Sequence, residues 1–403
     1  MKAIPIAENI WWVGAIDWNA HHFHGQTFTT KRGTTYNAYL IVDEKVTLID
    51  TVYGPFAEEM LQRIRTVVSP EKIDTIIANH IEPDHSGALP ALVKLCPKAR
   101  IYGSARAGQG LERYYQQKLD FHPVKTGDRL SLGKRTLQFI EIPMIHWPDS
   151  MMSYLIEDQI LFSNDAFGQH YATSERFDDE VPQETLMEEA GKYYAGILWP
   201  FSHLIAQRLA EIEKMAIPIK MIATSHGLSW RKDPGKILQA YQRWAANETE
   251  PKIIVVYETM WGSTAKMAQK IVEGISDAGV KFELYDMAQS DRTEVIHDML
   301  DAKAFIVGSS NHDSGILPNM TSFMEFLKGL HPKNRIGCVF GSYGWSGIAI
   351  QSLQNTLAAA GVEIVQPLLS VVYAPDEGQL AACYELGKKM AQLVLVQKGQ
   401  TVT

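Results

Sequence analysis

Between Asn79 and Gly87 the chain reads NHIEPDHSG, which sets His80, Glu82, Asp84 and His85 within six residues, directly after the apolar run IDTIIA. Few folds accommodate such a loop. Carboxylates packed beside titratable rings repel one another unless cations neutralise them. A solvated turn capped by Asp84 is the alternative for this segment alone. The pattern recurs, however. His146 follows the strand-like TLQFIEIP, Asp165 follows ILFSN, and His226 follows MIATS and precedes Gly227. Any one of these histidines, taken singly, reads equally well as a hydrogen-bonded core residue. Strand, loop and ligand in that order four times over point to a metal site on strand ends, where a rigid scaffold meets an open mouth.

A length of 403 residues predicts two or three domains, each able to bury a core. The polar stretch AANETEPK, Ala245 to Lys252, marks a seam, so residues 1–248 and 252–403 are expected to fold as separate units. Strand candidates in the first are Val46–Asp50, Ile73–Ala78, Thr136–Ile142, Ser153–Ile156 and Ile160–Ser163. In the second, apolar runs at Ile253–Tyr257, Phe305–Gly308 and Ile336–Phe340 each end in a Gly/Ser/Thr-rich loop, with helix-like Ala265–Ile275 and Met320–Leu327 between them. Buried strands alternating with helices predict a doubly wound parallel sheet.

The loop Glu258–Thr264, ETMWGST, offers the hydroxyls of Thr259, Ser263 and Thr264 around Gly262 just before a helix. That suits a phosphate at a helix N-terminus. No Lys or Arg lies in the loop, as a triphosphate would require, and the G-x-G-x-x-G fingerprint is absent. A single phosphate on a flavin mononucleotide fits better, and an ordinary helix cap is the plainer alternative. Two further loops, GSSNHDSG (308–315) and GSYGWSG (341–347), follow strands and would converge at the switch point of such a sheet.

The order His-x-Glu-x-Asp-His, His, Asp, His resembles the two-metal site of the metallo-β-lactamase fold. The zinc hydrolases of that fold carry histidine where this chain has Glu82. That glutamate, with HWPDSM (146–151), NDAFGQ (164–169), RGTTYNAYL (32–40) and VGAIDWN (13–19), resembles the flavodiiron proteins across nearly the whole chain. The resemblance implies an α+β metallo-β-lactamase-like αββα sandwich followed by an α/β flavodoxin-like domain. It implies two irons and one FMN. His80, Glu82 and His146 would hold one iron, Asp84, His85 and His226 the other, and Asp165 would bridge them. Three carboxylates and a bridging hydroxide would balance two divalent ions. By the same resemblance His24 and Tyr194 are the proton donors, with His170 a further candidate that reads equally as a hydrogen-bonding residue. The flavin contacts would be Thr259, Met260, Trp261, Gly262, Ser263 and Thr264, then Ser309, Ser310, Asn311, His312 and Gly315, then Ser342, Tyr343, Gly344, Trp345 and Gly347. Relatives commonly have Ser-Pro-Thr where this chain has Ser309-Ser310-Asn311, so a less preset loop is expected there.

The implied activity is reduction of dioxygen to water, of nitric oxide to nitrous oxide, or of both. Electrons would come from a separate donor, a rubredoxin or a reduced deazaflavin, because the sequence carries no C-x-x-C motif of its own. A head-to-tail homodimer, or a pair of such dimers, is the implied assembly. A zinc metallohydrolase with a regulatory flavodoxin-like domain and a non-catalytic diatomic-gas sensor are the competing readings. A net charge of −8 disfavours nucleic acid and anionic membrane as partners. Three scattered cysteines and no apolar run near ~20 residues predict a reduced, cytoplasmic protein without a membrane span.

Overall fold

Strand Ile73–Ala78 shows why the first half folds as it does. Its β-branched residues favour extended backbone, and its alternate side chains must go to opposite faces. Ile76 and Ala78 join one apolar cluster, Ile77 another. The structure is a computed structural model describing residues 1–396. In it this strand sits inside a seven-stranded mixed sheet, ordered Ile4–Ala7, Ile10–Trp12, Tyr39–Val42, Val46–Ile49, Ile73–Ala78, Arg100–Gly103, Phe121–Pro123. One face packs on helices Ala57–Arg65, Leu89–Leu95 and Ala105–Tyr115 through Met60, Leu61, Ile64, Leu89, Leu92 and Leu111. The other meets a second sheet of five strands, Arg129–Ser131, Thr136–Glu141, Met151–Leu155, Ile160–Asn164 and Met221–Thr224. Tyr39, Ile49 and Ile77 interleave there with Leu137, Phe139, Leu155 and Phe162. The five strands expected in this half are all present, within one or two residues at each end.

The second half is a parallel sheet in the order Lys281–Asp286, Glu250–Glu258, Ala302–His312, Ile336–Tyr343, the last pairing with both Glu363–Ile364 and Leu369–Val372. That is the flavodoxin-like order, with its switch point between the second and third of these strands. Ile253, Val255, Ile306, Cys338 and Phe340 are fully buried beneath helices Ser263–Asp277 and Glu377–Val396.

By compactness the chain divides into Met1–Tyr194 with His203–Gln242, and Ala195–Ser202 with the remainder from Arg243. This differs from a single cut at residues 248–252. The division falls a few residues earlier, and the turn of chain at 195–202 groups with the second unit. Among the described residues, no helix is long and apolar enough to cross a membrane.

Candidate metal centre and cofactor cleft

All seven ligand-capable side chains lie beyond the carboxyl ends of strands. Ile73–Ala78 delivers His80 and Glu82, and the short helix Pro83–Ser86 carries Asp84 and His85. Thr136–Glu141 leads to His146, Ile160–Asn164 to Asp165 and Met221–Thr224 to His226. They gather as His80, Glu82, His146 and Asp165 in one group and Asp84, His85 and His226 in another. Glu82 Oε2 lies 3.3 Å from both His80 Nε2 and His146 Nε2. Asp84 Oδ2 lies 3.3 Å from His85 Nε2 and 3.2 Å from His226 Nε2. Asp165 serves both groups. Its Oδ2 is 3.5 and 3.2 Å from the Nε2 atoms of His80 and His146, and its Oδ1 is 3.1 and 3.6 Å from those of His85 and His226.

The outer ring nitrogens of His80 and His226 are held from behind. His80 Nδ1 is 2.9 Å from Asp149 Oδ2, which also accepts the Ile81 N–H. His226 Nδ1 donates to the Thr35 carbonyl at 2.6 Å. With Nδ1 donating, each Nε2 offers a lone pair to the group. Asp50 anchors the loop entrance by accepting both the backbone and side-chain amides of Asn79. Gly227 beside His226 has φ +75°, and a Cβ there would stand 2.1 Å from Gln169 Oε1, so only glycine lets the loop close.

Both oxygens of Asp84 and of Asp165 are buried without a hydrogen-bond partner among the described residues, although imidazole nitrogens stand close by. Ligand atoms sharing a metal at about 2.0–2.2 Å sit roughly 3–3.5 Å from one another. The spacings above therefore fit two metal ions better than they fit hydrogen bonds. Energetics agree, since an uncompensated buried carboxylate costs several kcal/mol. Burial opposes ionisation of Glu82, yet His146, His24 and His80 hold its carboxyl below the usual range. Burial likewise pulls His85 down, but Asp84 and Asp165 overcome it and raise the imidazole to about 9. Burial alone pushes Asp50 up to about 6.

Around this cluster, His24 Nε2 lies 3.2 Å from Glu82 Oε1 and remains partly exposed. Of the two adjacent tyrosines, Tyr193 lies against the imidazoles. Tyr193 stacks 5.0 Å from His170 and 5.9 Å from His226, whereas Tyr194 packs on Tyr241. The reason is local: the helix Gln183–Tyr193 gives way at Tyr194 to a π-helical turn. Consecutive helical residues point about 100° apart, so a one-residue shift changes the face. Asp149, Thr35 and Tyr193 were not singled out by the sequence pattern. Only Asp149 left a trace, as the acid three residues after His146.

In the second unit a cleft of about 600 Å³ opens at the strand ends. Met260, Trp261, Ser263, Ser310, Asn311, His312, Ser342, Tyr343, Gly344 and Trp345 line it, together with Asp313, Tyr373 and Ala374. Tyr373 follows the strand Leu369–Val372, so the same strand-end rule would have found it. Behind the lining, Thr264 Oγ1 bonds Ser310 Oγ and Ser342 Oγ, both at 2.9 Å, tying three loops together. Helix Ser263–Asp277 starts after Gly262, whose φ of +87° favours glycine, and has no side-chain cap. Its first N–H groups are thus free to meet an anion. Thr259, Gly262, Thr264, Ser309, Gly315 and Gly347 do not line the cleft. Thr259 Oγ1 accepts the Gly262 N–H, Ser309 Oγ accepts that of Leu317, and Gly347 packs under Tyr343. The expected loose loop at 309–311 is instead strand. Asn311 pairs with Ile316 and His312 with Gly315 in a short hairpin, which presets the segment without proline. Hydroxyls, an open helix terminus and an aromatic wall fit FMN.

The pairing defines a class, a β-lactamase-type metal domain joined to a flavin domain. Residues 34–227 match the ODP family beta lactamase and residues 255–387 match flavodoxin. The chain is 49% identical to the nitric oxide reductase of Moorella thermoacetica, covering 97% of this chain and 98% of that one. It is 41% identical to the anaerobic nitric oxide reductase flavorubredoxin of Aeromonas hydrophila, over 97% of this chain and 79% of that relative. The solved rubredoxin oxygen:oxidoreductase of Desulfovibrio gigas superposes with a TM-score of 0.96 at 36% identity, covering 98% and 100% of the two chains. The flavodiiron protein from Giardia intestinalis superposes with a TM-score of 0.94 at 32% identity, covering 100% and 99%. The chain belongs to the flavodiiron proteins. It is an oxidoreductase whose cofactors are a pair of irons and FMN.

Proposed function

We propose that this protein reduces nitric oxide to nitrous oxide and dioxygen to water, with electrons relayed through FMN from an external donor. The observation that carries the reading is Asp165, each of whose oxygens faces a separate imidazole group. When bound, the irons supply binding and redox activation of the diatomic molecule, and the flavin passes electrons singly or in pairs. His80, Glu82 and His146 would hold one iron, Asp84, His85 and His226 the other, and Asp165 would serve both. Asp149 and the Thr35 carbonyl fix the tautomers that keep Nε2 available. Proton delivery falls to His24, which is partly exposed against Glu82, and to Tyr193, whose ring lies against His170 and His226. Burial keeps the Tyr193 hydroxyl protonated well beyond neutral pH. Ser263, Ser310 and Ser342 would serve the phosphate and ribityl end of FMN, and Trp261, Tyr343 and Trp345 its ring system.

The Moorella thermoacetica relative supports nitric oxide as substrate, and the Desulfovibrio gigas relative supports dioxygen with rubredoxin as donor. A reduced deazaflavin is the second donor to test. Three free, buried cysteines fit a reducing compartment such as the cytoplasm. A zinc metallohydrolase or a gas sensor is disfavoured by the membership above. Metal and flavin analysis, followed by anaerobic turnover with each gas, tests the reading. Two irons, one FMN and steady consumption of either gas are expected. Full zinc occupancy in iron-replete protein, or no turnover with a reduced donor, would overturn it.

The working assembly is a head-to-tail homodimer. Met260, Trp261, Trp345, Ile348, Val372 and Tyr373 form an exposed apolar rim at the flavin cleft, and Tyr53, Tyr114 and Met144 are exposed on the metal unit. Large exposed apolar patches mark interaction surfaces, and a two-fold arrangement would cover both at once. Mixing H85A/H226A protein with a T259A/S263A/T264A variant tests this. Activity should return in heterodimers, where the intact irons of one chain face the intact flavin of the other. No recovery despite subunit exchange would refute the arrangement.

A further inference from the structure

His170 plays no part in the two ligand groups, yet it lies against them. Its ring centroid lies 5.2 Å from that of His226, 5.0 Å from that of Tyr193 and 4.4 Å from that of Phe23, all at a tilt, and the residue is only 6% exposed. Nδ1 lies 2.9 Å from Thr34 Oγ1. The Thr34 hydroxyl has one proton to give. Its other neighbours are the Thr35 carbonyl at 3.4 Å and His226 Nδ1 at 3.5 Å. His226 Nδ1 is already a donor, to the Thr35 carbonyl at 2.6 Å, so it cannot accept. Of its two possible acceptors, the Thr35 carbonyl and His170 Nδ1, we assign the hydroxyl proton to His170 Nδ1, the shorter contact. That leaves the ring hydrogen on Nε2. Nε2 is buried and has no hydrogen-bond partner among the described residues. Buried donors are nearly always satisfied, and one left unmade calls for an acceptor that the described residues do not supply.

We propose that His170 donates a hydrogen bond from Nε2 to the small nitrogen- or oxygen-bearing molecule taken up beside His226. The inference rests on the function proposed above, and it makes His170 a substrate-contacting residue rather than a spacer. Thr34 acts through it, by fixing which nitrogen carries the hydrogen. Phe23 packs on the same ring.

The test uses iron- and FMN-loaded protein with azide as the probe, read by absorbance. H170F should hold the same iron and flavin but bind azide about tenfold more weakly, the size of one good hydrogen bond. H170Q, which restores an N–H donor, should recover much of the loss, whereas a purely structural ring would be replaced better by phenylalanine. Selective ¹⁵N-histidine spectra should find His170 protonated at Nε2 and bare at Nδ1. Should H170F fail to retain iron, T34V removes the hydroxyl with little change of shape and should weaken azide in the same direction by less. Unchanged azide affinity in H170F or T34V, or a hydrogen on Nδ1, overturns the proposal. Wild-type protein lacking two irons or turnover would instead defeat the functional reading itself.

Discussion

The metal cluster and the flavin cleft are both built from residues that follow strands, but they hold their charge in opposite ways. Most of the metal-site side chains are buried, and the rings of His80 and His226 are fixed from behind by Asp149 and the Thr35 carbonyl. The flavin cleft is open, its ring-side aromatics Trp261 and Trp345 being 90% and 76% exposed. Ions of small radius need ligands set to within tenths of an ångström, and only a packed interior holds carboxylates that closely. A flavin must exchange electrons with a partner, so one edge has to stay reachable. Preorganisation by burial and access by exposure are thus divided between the two halves.

The largest expected effect that probes this contrast is at Asp165. Asp165→Ala removes the one carboxylate shared by both groups, and iron content should fall from two per chain to one or none, with FMN unchanged. Two retained, magnetically coupled irons would show that the bridge lies elsewhere. The converse is a triple change, T264V/S310A/S342A, which breaks the hydroxyl triangle behind the cleft. FMN affinity should drop by about a hundredfold, as expected for two lost bonds near an anion, while iron analysis stays the same. Loss of iron in that variant would mean that the halves do not fold independently.

A smaller effect is expected behind the ligands. Asp149→Ala should weaken metal binding by about 10–100-fold without touching FMN, because His80 loses the partner that orients it. Competition against a chelator measures this, and unchanged affinity would make Asp149 merely a loop anchor. The mildest test is pH. Asp84 and Asp165 raise His85 to about 9, above its ordinary value, so in metal-free protein it is protonated at pH 7. The stability it lends is present below about 6.5 and lost as pH rises through about 9. A metal needs the bare ring, so uptake near pH 7.5 should release protons and affinity should decline toward acid. Calorimetry in buffers of different ionisation enthalpy reads the proton count, and none released would contradict the ion pairing.

Much of the metal site was legible because its chemistry is local. His80, Glu82, Asp84 and His85 share one loop, and each remaining ligand announces itself by following an apolar run. The parallel sheet was legible for the same reason, although Ala302–His312 and Glu250–Glu258 extend further than their apolar cores suggest. The hairpin at Asn311 and His312 was not legible, since cross-strand pairing rather than a proline sets it. Nor was the choice of Tyr193, which depends on where an α-helix turns π-helical.

What the sequence by itself determined is the kind of chemistry: which side chains can ligate, that they stand at strand ends, and that a hydroxyl-rich loop precedes a helix. Tertiary structure alone decided how the ligands divide into two groups, that Asp165 faces both, and which ring nitrogen each histidine offers. The physical reason is separation along the chain. His226 takes its tautomer from Thr35, 191 positions away, and His80 takes its own from Asp149, 69 positions away. Spacing within one loop fixes which atoms are neighbours there, whereas sheet register and packing bring such distant partners within hydrogen-bond reach.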